Sequence, residues 1–186
     1  MYNMRIKRVI GLVALLAFVG FAGLGRADSS PSKTGDSPTN AEIAFAKRTM
    51  DLFFNEVFAA LVQEFNETTT ANVDEGKQAI SLVFNDANRD MRLIGVFPPL
   101  LGGNNDRPGD LFEQRSLLLA LRGQANTSVE RVGDRWFYRR SVPLSNTLHP
   151  ACVLCHTNFT PEFFNRTNNP GQWVGVLALR VPIKTD

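Results

Sequence analysis

Cysteine and histidine are scarce in this chain, with two of each in 186 residues. Two cysteines exclude the disulfide framework that holds small secreted domains together, and a chain of this length can bury a core without one. The length fits a single domain. Surplus basic charge is missing as well. The formal net charge is +2, from 20 Lys and Arg against 18 Asp and Glu, but Arg5, Lys7, Arg8 and Arg26 stand before Ala27, in a stretch with no acid. Without those four, 16 basic residues face 18 acidic ones, a net of −2. That excludes the electrostatic case for nucleic acid as a partner, which needs Lys and Arg in excess on one face. Methionine is just as thin: beyond Ala27 only Met50 and Met91 remain.

The stretch from Met1 to Ala27 reads as a signal peptide: a basic start, an apolar run from Val9 to Leu24, and Gly25-Arg26-Ala27 with small residues where a signal peptidase reads. The apolar run falls short of the ~20 residues that span a bilayer. Cleavage is therefore favoured over a retained anchor, no stable membrane span is expected afterwards, and the expected location is the periplasm. Residues 28–40 are small and polar, the composition of a linker. One folded domain is expected over residues 41–183.

Within that domain, Thr39-Asn-Ala-Glu42 has capping-box spacing and precedes apolar residues at helical intervals from Ile43 to Phe65. A second helix is expected from about Asp74 to Met91. A long loop with Pro98-Pro99 and Gly102-Gly103 follows, then a short helix from Leu111 to Leu121 ending at Gly123. Ser128 to Val132 and Arg135 to Val142 read as strands joined at Gly133-Asp134, and Trp173 to Ile183 as a final strand. Helices first and an antiparallel sheet afterwards define an α+β fold.

The chemistry gathers at Cys152-Val-Leu-Cys155-His156, which holds both cysteines and one of the two histidines in the order that marks covalent attachment of a c-type haem. Two thiols three positions apart reach two edges of one porphyrin, and the next imidazole serves as the iron's proximal ligand. A disulfide between the cysteines leaves His156 unexplained. A zinc site needs a fourth ligand from a chain whose only other histidine is His149. One covalent haem c is therefore the expected cofactor, held by Cys152, Cys155 and His156, with His156 as the metal ligand.

The iron's sixth position has few candidates. No methionine follows His156, Met50 and Met91 fall where core residues fall, and no third cysteine offers a thiolate. His149, three residues before Cys152, suits a hydrogen bond to a haem propionate better than a crossing to the far face. Five-coordinate or water-ligated iron is expected, open to NO, CO or O2 behind an apolar wall. Phe159, Phe163 and Phe164 are close enough in sequence to the motif to touch the porphyrin. Arg139 and Arg140 follow Trp136-Phe137-Tyr138 on one strand, so alternation sends them to opposite faces. Arg140 is the candidate partner for a propionate.

The runs Trp136 to Leu144, Cys152 to His156 and Gln172 to Pro182 together resemble the C-terminal half of the PAS-like c-type haem domains. These occur alone, as in a cyanobacterial cytochrome, or as extracytoplasmic sensor parts of bacterial kinases and chemotaxis receptors. The resemblance covers roughly residues 40–183 and is specific in the last third. It implies a PAS-like antiparallel sheet flanked by N-terminal helices, His156 as proximal ligand, and redox or gas sensing or electron transfer. Some members supply a cysteine from the helical half as second axial ligand; here Val83 stands near that place. The resemblance extends to no kinase or transducer segment in these residues, so a signal is expected to pass to a separate protein. A simple electron-transfer cytochrome with a redox partner protein is the alternative function. A hydroxylamine-oxidising enzyme comes last, because such enzymes crosslink a lysine to the porphyrin and no lysine lies inside a predicted strand. Pairing of two copies through the long first helix stays open.

Overall fold

The computed structural model describes residues 37–84, 90–95, 107–159 and 173–185. The expected signal peptide, most of the expected linker, the Pro98 to Gly103 stretch and the aromatic pair Phe163 and Phe164 lie outside them.

Helix α1 (Asn40–Glu67) begins at the predicted cap. The Thr39 side chain accepts from the Glu42 amide at 3.3 Å, and the Glu42 carboxylate accepts from the Thr39 amide at 2.6 Å. Its buried residues Ala46, Met50, Val57, Leu61 and Phe65 keep to steps of four or seven, one apolar stripe on a 3.6-residue period. Helix α2 (Val73–Phe84) presents Val73, Gly76, Ile80 and Phe84 inward at the same spacing. Strand β1 (Met91–Gly95) follows, which corrects the expectation that Met91 belongs to a helix. Helix α3 (Leu111–Ala120), strands β2 (Asn126–Val132) and β3 (Arg135–Ser145), helix α4 (Pro150–Phe159) and strand β4 (Trp173–Ile183) complete the chain order. The α+β class is thus observed, with four helices and four strands among the described residues. No helix among them is long and apolar enough to cross a membrane.

The sheet is antiparallel throughout, in the order β1-β4-β3-β2. Strand β4 is therefore interior, and its nearly unbroken apolar sequence fits burial on both faces. Leu177, Leu179, Val181 and Ile183 pack with α1, α2 and α4, while Val176 and Ala178 meet α3 through Ala120 and Leu117. Leu177 is fully buried, and a side chain of that size contributes about 1.5–3 kcal/mol by leaving water. The strands β2 and β3 meet at Gly133-Asp134, where Gly133 takes φ +66°, the left-handed region that tight hairpin turns demand and glycine adopts freely.

Two prolines lie inside strands for one shared reason. Pro143 pairs with Val176 beyond the point where β2 stops pairing with β3, at Ser141. Pro182 pairs with Phe137 beyond the end of β1, whose pairing reaches only Leu179. Each ring therefore faces a side with no neighbouring strand, so its missing N–H breaks no ladder bond.

Candidate functional site

The motif lies on a helix, where i, i+3 and i+4 share a face, so Cys152, Cys155 and His156 point the same way while Val153 and Leu154 point elsewhere. Helix α4 starts at Pro150, the first-turn position that suits proline because its missing N–H is not needed there. His149 caps it. The Ala151 amide donates to His149 Nδ1 at 3.1 Å, which fixes the ring proton on Nε2, and Nε2 then donates to Asn66 Oδ1 at 3.0 Å. The ring also stacks on Phe65, 5.9 Å between centroids. The end of α1 thus holds the start of the motif helix.

The three motif side chains open onto one cleft of about 640 Å³, its open mouth included. Its wall is Phe65 from α1, Lys77 and Ile80 from α2, and Leu144, Leu148 and Ala151 around the approach to the motif. The sheet contributes Leu93, Ile94 and Gly95 from β1 and Val174 and Gly175 from β4. Apart from the motif and Lys77, every one of these side chains is apolar, the lining that small-molecule and cofactor sites share.

Burial decides the protonation states. The His156 imidazole is 7% exposed, and loss of hydration pushes its pKa down to about 4, so it is neutral at ordinary pH. Burial pushes the Cys155 thiol up to about 11, and the Cys152 thiol is raised by the same cause. Both thiols are unbridged. Among the described residues no group of three or more His, Cys, Asp or Glu side chains is arranged to hold a metal ion by itself. Two protonated thiols and a neutral imidazole thus share one helical face at the wall of an apolar cleft, a donor set that a haem would fit.

The remaining candidates are spread more widely. Phe159 is half-buried, with Lys77 Nζ 4.2 Å from its ring centroid. The two ring nitrogens of His149 are both engaged by protein partners. Arg140 does not line the cleft: it pairs with Asp51 at 2.9 Å and lies 4.4 Å from the centre of the Phe54 ring, further up α1. Arg139 faces the opposite side of the sheet, buried among Asp110, Glu113 and Glu130. Met50 is wholly buried in the core, and Met91 lines a separate apolar groove between α1 and α2.

Sequence reasoning overlooks Phe65, Lys77 and Ile80, although Lys77 and Ile80 stand three apart on the inward stripe of α2. No family description, no curated protein and no solved structure matches the chain.

Proposed function

We propose that this chain is an exported c-type haem protein of the PAS-like kind, whose single haem is attached through Cys152 and Cys155 with His156 as iron ligand. The observation that carries the proposal is the convergence of these three side chains on one apolar cleft. Bound haem supplies reversible one-electron chemistry and, where the iron has an open position, binding of neutral diatomic molecules. The protein's part is to present a neutral imidazole, to exclude water with Phe65, Ile80, Leu93 and Leu144, and to offer no strong second ligand. Met50, Met91 and His149 are all committed elsewhere. These placements favour redox or gas (NO, CO or O2) sensing over simple electron transfer, which predicts a second strong ligand. The absorption spectrum of the reduced protein with and without CO tests this. A shift of the main band with CO is expected, and a low-spin spectrum indifferent to CO rejects the open-iron form in favour of an electron carrier.

One placement favours a second reading. The hydroxylamine-oxidising alternative comes last on sequence grounds because no lysine is predicted inside a strand, yet Lys77 reaches the cleft from a helix. Peptide mass spectrometry of the holoprotein separates the two: two thioether links support the sensor, and a third link to Lys77 supports the enzyme.

A further inference from the structure

Lys77 is the one Lys, Arg, Asp or Glu among the described residues that line the cleft. Its place on the inward stripe of α2, between Gly76 and Ile80, makes it half-buried. Among the described residues no carboxylate pairs with it. Its ammonium instead lies 4.2 Å from the centre of the Phe159 ring, one turn beyond the motif on α4, and its charge acts on the Cys155 thiol. An ammonium over an aromatic face gains about 0.5–2 kcal/mol, which holds the stem in place but leaves donors unspent. This is a positioned cation at the rim of an apolar cleft, beside the helix that carries the proximal imidazole.

Resting on the haem reading above, we propose that Lys77 binds a carboxylate of the cofactor and raises its reduction potential. Haem has apolar edges and one edge bearing two propionates, and Lys77 is the one cation that the described lining of the cleft offers that edge. Arg140, the other candidate, is already paired with Asp51. A positive charge there favours the reduced iron, which carries one charge less than the oxidised form. Lys77 acts as a positioning residue and does not touch the iron.

The test compares unmutated holoprotein with Lys77→Gln, Lys77→Met and Lys77→Arg, each produced with haem-attachment machinery and exported. Haem staining of the unmutated protein on a denaturing gel comes first, and absence of covalent haem sinks the haem reading and this inference together. With haem attached, Lys77→Gln and Lys77→Met are expected to lower the reduction potential by the equivalent of about a tenfold change in the oxidised-to-reduced ratio, ~59 mV for one electron. Lys77→Arg is expected to keep the unmutated value. Equal potentials in all four proteins overturn the proposal while leaving the haem reading intact. So does a change of spin state in Lys77→Gln, which would make Lys77 an iron ligand, or a covalent Lys77 link to the porphyrin. Should the neutral variants fail to fold by circular dichroism, the resonance Raman carboxylate band of unmutated protein decides. A hydrogen-bonded propionate supports the proposal, and a solvent-like one overturns it.

Discussion

His149 and Asn66 are joined by a 3.0 Å hydrogen bond from Nε2 to Oδ1, which fastens the first turn of the motif helix α4 to the last turn of α1. Because His149 also accepts the Ala151 amide through Nδ1, one side chain satisfies a helix start and bridges two helices. His149→Ala is expected to cost about 1–2 kcal/mol of unfolding free energy in a denaturant titration. Asn66→Ala loses the bridge alone and should cost less. On the proposed haem reading, the visible spectrum of the holoprotein should be unchanged in both, because protein partners already engage both ring nitrogens of His149. A spectral change in His149→Ala would assign it a ligand role.

The motif residues divide by task. With both thiols replaced, as in Cys152→Ala with Cys155→Ala, haem staining on a denaturing gel should vanish. His156→Ala should keep the stain and lose the spectrum of imidazole-ligated iron. Persistence of that spectrum would place the proximal ligand elsewhere.

On the other face of the sheet, Asp110 and Glu113 lie one turn apart at the start of α3 and shift in opposite directions. For Glu113, burial is the largest effect and raises its pKa, against the Gly109 amide and Arg92 at 3.1 Å. For Asp110, burial also raises, but the Arg139 hydrogen bond and the Glu113 amide outweigh it and the net shift is downward. A raised carboxyl favours its neutral form in the fold, so Glu113 weighs against stability once pH rises above its ordinary 4.5. A lowered carboxyl contributes stability above its ordinary 3.8 that disappears as pH falls through the folded value. Glu113→Gln should therefore raise Tm at pH 7, on the order of 2 °C, and Asp110→Asn, which keeps a capping side chain, should lower it. Melting curves from pH 7 to 3 should show both differences closing towards the acid end. Same-sign effects at pH 7 would contradict this account.

Gly123 ends α3's turn at φ +69°, and a Cβ there would lie 2.5 Å from the Trp173 ring. Gly123→Ala combines a left-handed backbone, costing about 1–2 kcal/mol, with a displaced indole. Destabilisation above that range and a shift in tryptophan emission are expected.

Much of this architecture is legible in the chain. The capping box at Thr39, the hairpin at Gly133-Asp134 and the continuous apolar run of β4 are local signals, each decided by residues within a few positions. Strand β1 is not legible, because Met91-Arg-Leu-Ile-Gly95 lacks clean alternation and gains its extended form only by pairing with β4, at the far end of the domain's sequence. The shared face of Cys152, Cys155 and His156 follows from their spacing once a helix carries them. That helix is hidden, since His149 as a cap depends on Asn66 from another element. The partners of Arg139 and Arg140 are equally hidden: alternation separates the two side chains, but only the packing of α1 and α3 decides which carboxylates each one meets.

That separation has a consequence for the strand that carries it. Arg139 is committed to carboxylates of one layer and Arg140 to Asp51 of the other, with β3 threaded between them. A slip of one residue would turn every β3 side chain to the opposite face, parting Arg139 from Asp110 and Glu130, Arg140 from Asp51, and Tyr138 from the core it packs in. Adjacent like charges, which look redundant in the sequence, thus serve different carboxylates on the two faces of one strand. An added or deleted residue in the Gly133-Asp134 hairpin should be tolerated far less well than the turn's exposed position suggests.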